Sequence, residues 1–160
     1  MKQLAIIIPT FNRKLYLSNL LSQITNMSQA NFDLHIVVVV DGSTDGTVEM
    51  LFESFPEIHI VNGTGNWWYT KSINMGLLYL EKLNIDYVLT LNDDILFKNN
   101  FFETLNNAII QAPMDSVIGA LSLTKTNSEK VLSAGVKKII LSAFALTLGL
   151  SSYAQTAEER

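Results

Sequence analysis

The stretch LHIVVVVDGSTDGT, residues 34–47, decides the fold. Val37 to Val40 form an unbroken run of β-branched residues, with no polar position between them. A strand with one wet face alternates apolar and polar residues; a strand without that alternation is covered on both faces, as in a parallel sheet. The run stops at Asp41-Gly42, a turn pair, and Thr44 or Asp45 can then cap a helix over residues 44–55. Strand, polar turn and helix in that order are half of a β-α-β unit.

The same unit repeats on both sides. Residues 4–8 (LAIII) read as a strand ended by Pro9. A helix follows over residues 13–27, with Leu15, Leu17, Leu20, Leu21 and Ile24 at helical spacing and Asn12 as its expected cap. Further strands are expected at 58–61, 87–91 and 116–123, and further helices at 69–83 and 100–112. Residues 124–138 read as a turn and a short strand. The alternation predicts an α/β fold, a mostly parallel sheet with helices on both faces.

The chain has 160 residues, enough for one domain with a substantial core. Hydrophobic residues make up 48% and charged residues 16%, which excludes a disordered chain. The net charge of −4 gives no support to a nucleic-acid partner, which needs a basic face. There is no cysteine, hence no disulfide and no thiolate metal site. No secretory leader is evident, and no apolar run reaches the ~18 residues of a membrane span. The expected location is therefore cytoplasmic. Residues 139–150 (IILSAFALTLGL) leave two readings open, a buried element or a segment lying on the inner face of the cell membrane. An apolar face there would also drive association between copies of the chain.

The polar residues gather after the strands. PTFN follows the first, DGSTDGT the second, NGTGNWW the third and NDD the fourth. In a parallel sheet these loops share one edge, where open α/β sheets bind ligands, and helix starts there favour anions. Asp93 and Asp94 repel an anion unless a cation lies between. Mg²⁺ takes one or two carboxylates and completes its shell with water and phosphate, so the four loops together point to a metal–nucleotide diphosphate site. Read alone, Asp93 and Asp94 would be turn residues.

Other residues keep two readings. Asp41 either ends an ordinary turn or accepts a hydrogen bond from a base or ribose. Trp67 and Trp68 either anchor a helix in the core or stack on a ligand ring. Lys71 is a surface lysine or a phosphate contact. His35 and His59 fall inside strands and are core or edge residues. Ser43 has no histidine near it in the sequence for a hydrolase triad. The absence of GxxxxGK[ST] and of GxGxxG after the first strand excludes two common nucleotide sites.

The segments IIIPTFNR, VVVVDGSTDGT, GNWWYTKSINMGL and LTLNDDILF resemble, in order and spacing, the family 2 glycosyltransferases, and GTGNWWYTKSINMGL is similar to their rhamnosyltransferase-like bacterial branch. The resemblance spans about residues 2–134 and implies the nucleotide-binding part of a GT-A fold (residues 1–134), followed by an incomplete or divergent segment (residues 135–160). It implies that Pro9, Thr10 and Phe11 pack around the base, with Arg13 just beyond. Asp41 would read the base and Asn74 would face the donor. Asp93 would lie near the ribose or sugar, and Asp94 would ligate Mn²⁺ or Mg²⁺. The implied partners are a nucleotide-diphospho-sugar and a saccharide or lipid-linked acceptor, in bacterial surface polysaccharide synthesis with inversion at the sugar. Two positions depart from the pattern. Val40 stands where many relatives carry an acid. After Asp94 the acids are Glu103, Asp115, Glu129, Glu158 and Glu159, none in the motif that supplies the general base. A donor- or partner-binding chain without catalysis is the alternative expectation.

Overall fold

Strand β2 (Phe32–Val40) lies inside a sheet, as its run of valines requires. It pairs in parallel with β1 (Lys2–Thr10) on one side and with β3 (His59–Asn62) on the other. Strand β4 (Tyr87–Thr90) joins the free edge of β1, giving the order β3-β2-β1-β4 with every pairing parallel. These coordinates are a computed structural model that describes residues 1–29, 31–113, 115–120, 122–123 and 131–133.

Two layers of helix cover the sheet. Helix α3 (Trp68–Leu80) lies against β1, β2 and β3. Between them Ala5, Ile7, Val37 and Val39 of the sheet pack with Leu80 of the helix, joined by Val61, Trp67, Ile73 and Leu77. Alternation along a strand sends Leu4, Ile6, Ile8, Ile36, Val38 and Val40 to the opposite face, and these too are buried. Helices α1 (Lys14–Asn26) and α2 (Thr47–Ser54) pack on each other. Of the residues expected on the buried face of α1, Leu17, Leu20, Leu21 and Ile24 are fully covered, while Leu15 is exposed. Gly76 sets how closely α3 approaches: a Cβ there would lie 2.6 Å from Ile7 Cγ2.

Both histidines sit in strands with partners, His35 Nε2 with Gln3 Oε1 at 2.7 Å and His59 Nδ1 with the Tyr79 hydroxyl at 3.0 Å. The expected caps come out differently. Asn12 does not cap α1. It takes a left-handed conformation (φ 52°), and its side-chain oxygen accepts the Thr44 N–H at 2.7 Å. Asp45 serves two helices instead. Its carboxylate accepts the Lys14 N–H that opens α1 (2.9 Å), and the Thr47 N–H (3.2 Å) and hydroxyl (2.5 Å) that open α2. Partial burial works against its charge, but these hydrogen bonds outweigh that and hold the Asp45 carboxyl below the usual carboxylate range.

The chain divides into two compact units, Met1–Glu103 and a second from Thr104. Helix α4 (Phe101–Gln111) runs across that division. In the second unit β5 (Ser122–Leu123) pairs antiparallel with β6 (Val131–Ser133). Within the expected fifth strand at 116–123, the described strand residues are Ser122 and Leu123, and they pair with β6 in a two-stranded sheet. Residues 135–160, including the apolar run 139–150, lie outside the described residues. Among the described residues no helix is long and apolar enough to cross a membrane.

Candidate functional site

In the order β3-β2-β1-β4 the chain reverses direction of travel between β1 and β4. That switch point opens a crevice at the carboxyl ends of the strands. A cleft of about 330 Å³ lies there, lined by Pro9, Thr10, Phe11, Arg13, Asp41, Trp68, Tyr69, Ser72, Asn92, Asp93 and Asp94. Seven of the eight residues expected at the site from sequence therefore meet in one cleft. Asn74 is half-buried on α3 and is not among the lining residues.

The two acids after β4 are held by side chains from the loop after β1. Asp93 is 4% exposed, and its Oδ2 accepts the Thr10 hydroxyl at 2.8 Å. Arg13 bridges the pair: Nε lies 3.3 Å from Asp93 Oδ1, and Nη2 donates to Asp94 Oδ2 at 2.8 Å. Burial pushes the Asp93 carboxyl above the usual range; Thr10 and Arg13 oppose that shift, and the neighbouring charge of Asp94 adds to it. The repulsion between adjacent carboxylates is thus met by an internal cation. Among the described residues no group of three or more His, Cys, Asp or Glu could form a metal cage.

Asp41 is buried and held by main chain. Its Oδ1 accepts the Gly65 N–H at 2.7 Å, and its Oδ2 accepts the Trp67 and Trp68 N–H groups at 2.7 and 3.1 Å. The start of α3, expected from the sequence to attract a ligand anion, is already occupied by this carboxylate. The start of α1 is likewise taken by Asp45. Gly42 makes the approach of the two loops possible, since a Cβ on it would lie 2.7 Å from Gly65 Cα.

The two tryptophans divide between the readings left open for them. Trp67 joins the core under α3. Trp68 is 83% exposed, has φ 55° and stands at the cleft beside Tyr69. Lys71 lies over the Trp67 ring, 5.3 Å from its centroid, and does not line the cleft. Tyr69 and Ser72 were not singled out by sequence. Ser72 is 1% exposed, and its signal was its phase: it falls one helical turn after Trp68, on the same face.

Comparison with known proteins bears on this geometry. Abequosyltransferase RfbV of Salmonella typhimurium is 35% identical over 120 residues, 68% of this chain and 32% of that protein. S. aureus TarS 1-349 superposes with a TM-score of 0.61 at 20% identity, covering 86% of this chain and 38% of that one. The mannosyltransferase PcManGT of Pyrobaculum calidifontis, solved with GDP-Man and Mn²⁺, superposes with a TM-score of 0.55 at 24% identity, covering 71% and 33%. The chain spans about a third of the length of these relatives. The structural likenesses bear out the GT-A expectation for the fold. The profile described as Glycosyl transferase family 2 matches residues 5–134, most of the chain, and the protein belongs to that family.

Proposed function

We propose that the cleft between β1 and β4 binds a nucleotide-diphospho-sugar and that the chain serves transfer of the sugar, with inversion, to a saccharide or lipid-linked acceptor in bacterial surface polysaccharide synthesis. One observation carries the reading: Thr10, Arg13, Asp41, Asp93 and Asp94, drawn from three separate loops, line a single cleft at the switch point. The complexes of PcManGT with GDP-Man and Mn²⁺, and of TarS with UDP-GlcNAc, support the ligand class.

The aromatic groups Phe11, Trp68 and Tyr69 offer faces for the base or a sugar. Pro9 and Thr10 form the floor beside them. Asp41 spends three of its roughly four acceptor positions on main-chain N–H groups, so we assign it first to fixing the wall formed by the start of α3, with one position left for a ligand N–H or hydroxyl. Ser72, rather than Asn74, presents a hydroxyl from α3. Asp94, with Asp93 behind it, is an all-oxygen donor pair that suits Mn²⁺ or Mg²⁺ sharing its shell with phosphate. Bound there, the ion would neutralise the diphosphate as it leaves the sugar.

An acceptor hydroxyl would attack the anomeric carbon opposite the departing diphosphate, and a base must take its proton. The three acids lining the cleft are all engaged, Asp41 by main chain and Asp93 and Asp94 by Arg13. That favours a second reading, in which this chain binds donor without turning it over by itself. Calorimetry with UDP and GDP, with and without Mn²⁺, tests the shared first step. Binding that needs the metal, and is lost in Asp94→Ala, is the expected result; equal affinity in the variant removes Asp94 from the site. Release of nucleoside diphosphate from a panel of sugar donors then separates turnover from binding alone.

A further inference from the structure

We propose that Arg13 is a resident counter-ion of the acid pair, which a divalent cation must displace before it can use Asp94, and that the released guanidinium then meets the diphosphate. The inference rests on the reading of the cleft as a donor site and assigns Arg13 a role in ordering how metal and nucleotide bind.

The geometry is that of an occupied cation site. Two edges of one guanidinium face two adjacent carboxylates, Nε towards Asp93 and Nη2 towards Asp94. The Nη2 contact with Asp94 at 2.8 Å is a charge-assisted hydrogen bond, one of the stronger kind, and the Nε contact with Asp93 is an ion pair at 3.3 Å. Asp94 is the more exposed of the two acids and so the more accessible to a metal, and its Oδ2 is held by Arg13. A metal therefore competes with an arginine already in place. The exchange is also favourable in charge: two carboxylates carry two negative charges, and Arg13 neutralises one where a divalent ion neutralises both.

Arg13 is built to move. It is 40% exposed and precedes the first turn of α1 with a non-helical backbone (φ −133°, ψ 40°), following the left-handed Asn12. Its guanidinium also lies 4.7 Å from the Tyr16 ring centroid, so the exposed ring offers a seat once the carboxylates are given up. A diphosphate arriving with the metal brings negative charge back to the same place, and the freed fork matches it. Metal alone should then bind weakly, and metal with nucleotide much better.

The test uses the full chain and two probes, Mn²⁺ alone and Mn²⁺ with UDP or GDP. Loss of the free-ion electron paramagnetic resonance signal reports metal binding, and calorimetry reports nucleotide. In Arg13→Met the affinity for Mn²⁺ alone should rise about tenfold, and the metal-dependent nucleotide affinity should fall about tenfold. Arg13→Lys keeps a charge without the fork and should fall between; circular dichroism confirms that both variants fold. Opposite changes in the two affinities cannot come from a merely structural arginine. If the wild type binds Mn²⁺ and nucleotide but Arg13→Met leaves the affinity for Mn²⁺ alone unchanged or lower, the counter-ion role is overturned and the donor site stands. If Arg13→Met gains Mn²⁺ while neither protein binds nucleotide, the exchange stands and the donor site fails. If neither protein binds Mn²⁺, the exchange is overturned.

Discussion

Asp41 follows β2 and Asp93 and Asp94 follow β4; all three line one cleft, yet they are held by different kinds of partner. Asp41 is gripped by three main-chain N–H groups at the start of α3. Those donors cannot turn away without unwinding the helix start. Asp93 and Asp94 are held by a hydroxyl and a guanidinium, both on side chains that can rotate. The first arrangement fixes a wall, and the second can exchange one cation for another.

The comparison breaks most visibly at Asp41. Asp41→Ala leaves three part-buried N–H groups without their acceptor and should cost about 2 kcal/mol, read as a lower urea midpoint with an unchanged slope. A loss well under 1 kcal/mol would mean that the wall does not depend on this carboxylate. Gly76→Ala pushes α3 away from Ile7 and should cost about 2 kcal/mol, because overpacking a tight contact forces backbone to shift. It should also weaken nucleotide binding through the displaced helix start, while leaving binding of Mn²⁺ alone intact. Asp94→Ala should behave in the opposite way. Its partly exposed pair with Arg13 is worth about 0.5 kcal/mol or less to folding, yet metal-dependent nucleotide binding should vanish.

The smallest effect is one of pH. Burial raises the folded pKa of Asp93 above its unfolded value of about 3.9, so the native chain holds that proton more tightly. Stability should therefore decline as pH climbs from the unfolded value through the folded one, and the penalty should persist above it. Asp93→Asn should lack that decline. Denaturant melts of both proteins between pH 3 and about 7 would show the curves meeting in acid and separating towards neutrality; parallel curves would refute the shift.

The strands were legible because β-branched runs need no partner information to be recognised. Val37–Val40 declares itself buried on both faces wherever it pairs. The meeting of Asp41 with Asp93 and Asp94 also followed from topology, since parallel strands place their exits on one edge. Asp45, expected at the start of α2, does accept the Thr47 N–H there, but the cap of α1 was not legible. Asn12 has the right chemistry and position for α1, but its side chain is taken by Thr44 from another loop, and a contact between residues so far apart leaves no local pattern. The same reason hid the Arg13 bridge, which depends on β4 lying beside β1. Ser72 and Asn74 show a third limit. Asn74 was expected at the site from the family resemblance alone, whereas the residue of α3 that lines the cleft is Ser72, and residues two apart on a helix point about 200° apart. The run at 116–123 misled because an apolar stretch does not say which sheet it joins.

The loops after β1 and β2 are tied by a reciprocal set of hydrogen bonds: Asn12 N–H to Ser43 Oγ, Thr44 N–H to Asn12 Oδ1, and Lys14 N–H to Asp45 Oδ2. The two connections are in effect one part made in two pieces. Anyone transplanting either loop from a relative would have to carry residues 10–14 and 41–47 together, because either piece alone would arrive without its mate.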